Sequence, residues 1–112
     1  MPIEPYVAVQ YAFANPATSG DNAVVAAVSG KRIRVISYAL ANQAATANNV
    51  KFRSAANDKT SLKTLPANTT PAFITYAGGV NAPAFETNAG EALNINLSAS
   101  TAIGVDVAYQ VL

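Results

Sequence analysis

The chain of 112 residues contains no cysteine, no histidine and no tryptophan. Without thiols there is no disulfide framework and no thiolate metal site. Without imidazoles a cupin-type metal centre has no ligands, and the side chain most often used for proton transfer near neutral pH is missing. No run approaches eighteen apolar residues, so no membrane-spanning helix is expected. The opening "MPIEPYVAVQ" lacks the basic and apolar regions of a secretory signal. Charge is also scarce. Asp, Glu, Lys and Arg make up 12% of the chain, where about 25% is usual. Size scaling gives a folded surface of roughly 5,800 Å², hence about one charge per 450 Å². A lone monomer with such a surface is poorly solvated, which favours assembly into an oligomer. The alternative is a neutral coat of Asn, Thr, Ser and Ala. The net charge of +1 argues against bulk nucleic-acid binding.

What is present is apolar and turn-rich. Hydrophobic residues make up 51% of the chain, which is enough for one domain with a real core. No i, i+3, i+4, i+7 stripe is sustained. Turn signals recur instead, at "NPATSGDN", "NQAATANN", "PANTTP" and "TNAGE" among others. Short strands between such turns predict an all-β sandwich. The expected strands are 6–13, 23–28, 32–41, 50–55, 59–64, 72–76, 83–87, 92–98 and 102–111. Eight after the first segment suit a jelly-roll β-sandwich of about eight antiparallel strands with an extended N-terminal arm. Residues 1–20 form the arm or an edge strand, and 21–112 the sandwich domain.

The last two strands are the clearest. Leu93, Ile95 and Leu97 alternate with Asn94, Asn96 and Ser98. Ile103, Val105, Val107, Tyr109 and Val111 alternate with Gly104, Asp106, Ala108 and Gln110. Period-two alternation marks strands with one buried face, here read as a closing hairpin. The opposite faces are built of small, mostly uncharged groups, and what they meet is an open question. "GKRIRVISYAL" is apolar on both faces, because Ile36, Tyr38 and Leu40 alternate with Ile33, Val35 and Ala39. Pairing with "VKFRS" brings Val50 and Phe52 to the Tyr38 side. The second face is then covered by another subunit or by the loop at 65–83.

Catalytic groups are few. The carboxylates are Glu4, Asp21, Asp58, Glu86, Glu91 and Asp106. Glu86 and Glu91 flank a turn and superficially mimic a glycosidase pair, but they read as solvated turn residues. Asp106 is expected to pair with Arg32 or Arg34, or to lie at a subunit boundary. Asp21 and Asp58 belong to no clustered acidic loop that would bind calcium. No catalytic residue, metal site, cofactor site or small-molecule substrate is assigned, and the chain is not expected to be an enzyme. Lys31, Arg32, Arg34, Lys51, Arg53, Lys59 and Lys63 are all its basic residues, clustered in one part of the chain. That pole suits an acidic protein surface better than a nucleic acid, or is ordinary solvated charge near strand ends. The arm, with Tyr6, Val7, Val9, Tyr11 and Phe13 bracketed by prolines, is expected to dock on its own domain, swap onto a neighbour or bind a partner.

From "DNAVVAAVSGKRIRVISYALAN" through "FETNAGEALNINLSASTAIGVDVAYQVL", about residues 21–112, the chain resembles small jelly-roll capsid cement or decoration proteins of tailed bacteriophages. The resemblance rests on a "GKxIRVxSY" strand and a closing "GExLNxxLS" segment. It implies a non-enzymatic homotrimer, made in the host cytoplasm, that binds the major capsid protein and stabilises the virion shell. Tyr6, Val9, Tyr11, Phe13, Arg32, Arg34 and Arg53 are then the candidate partner-binding residues. The alternative is a binding module, or a subunit of a phage head or tail fibre or adhesin, that recognises a surface glycan. Tyr76 and Phe85 are its candidate aromatics. No membrane is expected among the partners of either.

Overall fold

A computed structural model describes residues 7–42, 44–67 and 72–112. Among these the regular elements are all strands: β1 (Gln10–Ala14), β2 (Gly20–Val25), β3 (Ile33–Asn42), β4 (Asn48–Ser54), β5 (Asn57–Asp58), β6 (Lys63–Leu65), β7 (Ala72–Tyr76), β8 (Phe85–Glu86), β9 (Leu93–Leu97) and β10 (Ile103–Val111). They form two antiparallel five-stranded sheets. One runs β1-β10-β3-β7, with β8 also on β3. The other runs β2-β9-β4-β5, with β6 also on β4. The expected 83–87 strand is reduced to two residues, and the expected 59–64 strand is replaced by β5 and β6. The result is a β-sandwich.

Its core is the meeting of two alternating faces. Leu93, Ile95 and Leu97 of β9, with Val50 and Phe52 of β4, face Ile103, Val105 and Val107 of β10 and Tyr38 and Leu40 of β3. All are buried. Aromatic rings link the layers. Tyr38 meets Phe52 edge-on at 4.9 Å between centroids, and Phe52 meets Phe85 at 5.4 Å, within the range of favourable aromatic pairs.

Two pairings differ from the sequence reading. β9 and β10 form no hairpin, because each lies in a different sheet and their apolar faces meet across the core. β3 and β4 are likewise in opposite sheets, so Val50 and Phe52 join Tyr38 by stacking and not by pairing. Alternation fixes which side of a strand is buried but says nothing about which strand lies beside it.

The apparent two-sidedness of β3 also has another cause. Opposite β10, Ser37 pairs with Ala108 and Val35 with Tyr109, which leaves Ile36 as an extra residue. This β-bulge shifts the side-chain phase by one. Ile33 and Val35 therefore enter the same core as Tyr38 and Leu40. Ile36 is buried separately, where the chain after β7 lies against β3. A Cβ on Gly78 would collide with the Ile36 and Ala82 carbonyl oxygens, so the close approach there requires glycine. Of the two covers expected for this strand, another subunit or the 65–83 loop, the structure brings Gly78 of that loop against the Ile36 backbone.

Buried asparagines staple the crossings between sheets. Asn48 Oδ1 accepts from Ser98 N at 3.0 Å, Ala99 N at 3.1 Å and Ser98 Oγ at 3.2 Å. Its Nδ2 donates to Ala99 O at 3.0 Å and Thr101 Oγ1 at 3.1 Å. These bonds hold the connection from β9 to β10. Asn42 does the same elsewhere, donating to Thr46 O and Pro66 O and accepting from Ala44 N.

Two substitutions test this packing. Ile95→Ala removes a fully buried side chain and should cost about 2–5 kcal/mol in denaturant unfolding. A loss below about 0.5 kcal/mol is that of a surface site and would contradict the assignment. Asn48→Ala should cost about 1–3 kcal/mol, because it leaves the Ala99 amide without its partner while Ser98 N keeps Asn49 O, measured the same way.

Candidate functional site

The two outer faces of the sandwich differ in chemistry. On the β2-β9-β4 sheet, Asp21 lies opposite Asn96, which lies opposite Lys51. Asn94 lies opposite Arg53, which lies opposite Asp58. Arg53 Nη1 reaches Asp21 Oδ2 at 3.0 Å, and Nε lies 3.0 Å from Asp58 Oδ1. Lys51 Nζ donates to Asp58 Oδ2 at 3.0 Å, and Asn96 Nδ2 to Asp21 Oδ1 at 2.8 Å. The neutral face of β9 therefore meets a polar network of two cations and two carboxylates paired with one another.

On the other sheet the outer face is apolar. Tyr11 lies opposite Ala108, which lies opposite Ser37. Phe13 lies opposite Asp106, which lies opposite Ala39. Ser37, Ala39 and Ala108 form a shallow floor. Tyr11 and Phe13 wall it on the β1 side, Tyr76 and Ala77 on the other, and the groove has a volume of about 370 Å³. Tyr11 is 79% exposed and Phe13 81%. Two large rings so exposed, side by side on a small-residue floor, mark an interaction surface more than a solvated one. Beyond it, Ala41, Gly104, Ala102 and Asn15 line a smaller hollow.

β1 is the edge strand of this sheet and pairs with β10 from Gln10 to Ala14. Strand pairing presents alternate residues, so Ala12 points inward and packs against the core while Tyr11 and Phe13 point out. Val9 is half-buried. Gln110 Nε2 donates to Val7 O at 2.8 Å, which ties the start of the described chain to the end of β10. Tyr6 and Glu4, which the sequence reading placed in the arm, lie outside the described residues.

Three of the seven cations of the expected positive pole, Arg34, Lys51 and Arg53, are ion-paired within the chain. Arg34 Nε contacts Glu86 Oε2 at 2.6 Å, and Arg53 is held by Asp21 and Asp58. Arg32 and Lys31 are exposed and have no side-chain bond to any described residue. The expected intrachain pairing of Asp106 with Arg32 or Arg34 is not formed. Arg34 is taken by Glu86, and Arg32 sits beside Leu112, beyond the far end of β10. Asp106 is exposed on the groove floor with no ion-pair or hydrogen-bond partner among the described residues. The signal for this was available only in part. Sequence reading singled out Tyr11, Phe13 and Asp106 separately, but their adjacency is set by the pairing of β1 with β10, whose residues are more than ninety positions apart.

The other chemically suggestive residues have structural partners. Glu86 binds Arg34, while Glu91 accepts from Ser54 Oγ at 2.6 Å and Asn88 Nδ2 at 3.0 Å. Tyr76 stacks on Tyr38 at 5.9 Å and donates its hydroxyl proton to Ala82 O at 3.3 Å. Burial, and then the neighbouring Tyr76 hydroxyl, push the Tyr38 phenol above its usual range. Among the described residues no group of three or more His, Cys, Asp or Glu is placed to hold a metal ion. Among them, too, no helix is long and apolar enough to cross a membrane.

Two carboxylates sense pH. The Ser54 hydroxyl, with Asn88 and Asn57, holds Glu91 below the ordinary glutamate range against a smaller effect of desolvation. The Lys51 ammonium, helped by Arg53, lowers Asp58. A depressed acid contributes stability that is present above its unfolded value and is lost as pH falls through the folded one. Thermal unfolding should therefore be steady near neutral pH and weaken below about pH 4. Glu91→Gln should melt lower than the parent near neutral pH, and the gap should close in acid. A gap that is constant across the titration would show that the Glu91 charge makes no contribution.

No protein-family model matches the chain, and no curated protein shows significant sequence similarity to it.

Proposed function

We propose that this chain is a non-enzymatic structural protein, a jelly roll that trimerises and decorates a viral capsid as a cement protein. The strand order supports the jelly-roll part. With β5 and β6 counted as one broken edge strand on β4, and β7 and β8 as another on β3, four positions face four. The chain passes from one sheet to the other between β1 and β2, β2 and β3, β3 and β4, β6 and β7, β8 and β9, and β9 and β10. Two interlocked Greek keys produce that alternation.

The observation that carries the functional reading is the outer face with Tyr11 and Phe13. A floor with one charged group, Asp106, allows close approach without desolvating many ions, and exposed aromatics supply most of the contact area. Such a surface is suited to being covered by protein. A shell protein gains from repeating one modest contact by symmetry, since three linked contacts exceed one by about 10²–10⁴ in avidity when all can engage. The major capsid protein is the partner this reading names, and the outer surface of the head is the location.

A glycan-reading fibre or adhesin subunit is the second reading. The aromatic pair of the groove favours it as a stacking platform. The floor weakens it, because beside the tyrosine hydroxyls only Ser37 and Asp106 among the lining side chains can hydrogen-bond a sugar.

The particle itself is the test. Cryo-electron microscopy of purified tailed-phage virions whose genome encodes this chain should show it in threefold clusters on the outside of the head. Absence from the virion, or a place at the tail tip with sugar-dependent attachment, would refute the cement reading. In solution, light scattering after size exclusion should give three times 11.5 kDa. A monomer at micromolar concentration would contradict trimerisation.

A further inference from the structure

We infer that the Tyr11–Phe13–Asp106 groove is the acceptor half of a self-assembly contact, and that its occupant is the Lys31–Arg32 turn of a second copy of this chain. The inference rests on the homotrimer proposed above and names the surfaces that form it.

Charge singles out the groove. Asp21, Asp58, Glu86 and Glu91 are each bonded within the chain. Asp106 is the one side-chain carboxylate among the described residues with no such partner. It lies on the floor of an apolar groove, with Phe13 as its direct cross-strand neighbour. A carboxylate beside exposed aromatic faces selects a cation, which it attracts by charge while the rings attract it through their π faces. Guanidinium suits the place best, being planar, weakly hydrated and able to stack.

Supply singles out the turn. Arg34, Lys51 and Arg53 are already in ion pairs. Lys59 and Lys63 donate to neutral oxygens at Asn88 and Ser61. Lys31 and Arg32 remain exposed and unbonded to any described residue, at a turn where Lys31 N donates to Val28 O. They cannot serve their own Asp106. Arg32 N donates to Leu112 O, and Leu112 is six positions along the chain from Asp106, which is about 20 Å at the rise of a strand. A second copy satisfies both. Donor turn and acceptor groove are different patches, so the contact runs head to tail, and a head-to-tail contact that closes forms a ring.

Charge reversal tests this with the full chain. The variants are Asp106→Arg, Arg32→Asp and the two combined, each checked for folding by circular dichroism and followed by sedimentation velocity over a range of concentrations. Asp106 and Arg32 are both exposed, so the fold should survive. Each single reversal places like charges together and should weaken assembly by about tenfold or more. The double reversal should restore it to within about threefold of the parent. Phe13→Ser, which leaves the charges intact, should weaken assembly as well. If the parent assembles and the single reversals assemble equally well, the contact is elsewhere, while the trimer stands. If the singles dissociate and the double does not recover, the pairing is overturned, again without touching the trimer. A monomeric parent removes both.

Discussion

One extra residue in the middle strand sets the geometry of this molecule. Ile36 interrupts the alternation of β3, so that Ile33, Val35, Tyr38 and Leu40 all enter one core. Without it, either the first pair or the second would turn outward. A bulge also increases local twist, and at Ile36 the segment after β7 comes in close enough to require Gly78. Because the bulge restores a single buried face, the opposite side of β3 is left with Ser37, Ala39 and Ala41. Ser37 and Ala39 on that side belong to the groove floor, and Ala41 lines the smaller hollow beyond it. The small, neutral outer surface is thus a consequence of the same register that fills the core.

The sandwich then separates two kinds of surface. The face built on β2, β9 and β4 satisfies its own charges through Arg53, Lys51, Asp21 and Asp58, and such exposed pairs add little to stability. The face built on β1, β10 and β3 leaves its one carboxylate unmatched and its aromatics uncovered. The first is at rest in water. In the self-assembly proposed above, the unmatched cations at the Lys31–Arg32 turn of a second copy would cover the β1, β10 and β3 face. Edge strand β1 is central to this, since its alternate residues serve the core through Ala12 and the groove through Tyr11 and Phe13.

Much of this was legible in the sequence, for physical reasons that also mark its limits. The all-β class, the buried faces of β9 and β10, and the core roles of Val50 and Phe52 follow from period-two alternation, which depends only on neighbours along the chain. Sheet membership does not. Five residues from Ser98 to Ala102 can close a hairpin or arch between sheets, and here Asn48, some fifty positions away, holds the arch. In "NQAATANN" the asparagines read as turn formers, and nothing local reveals that Asn48 reaches into another loop. The bulge was hidden because an inserted residue looks like a strand apolar on both sides. The positive pole looked larger than it is because its partners, such as Asp21 for Arg53, are distant in sequence. Tyr11, Phe13 and Asp106 were each conspicuous, but only pairing across the sheet brings them into one groove.

On the proposed reading, the Tyr11–Phe13 face is covered in the working form of the protein. Hydroxyl-radical footprinting read by mass spectrometry measures this directly. At dilutions where the chain is dissociated, Tyr11 and Phe13 should be oxidised readily, as their exposure requires. At concentrations where it is assembled, both should become protected, while exposed Leu62, which lies outside the groove, should keep its rate. Equal oxidation of Tyr11 and Phe13 in the two states would contradict the claim.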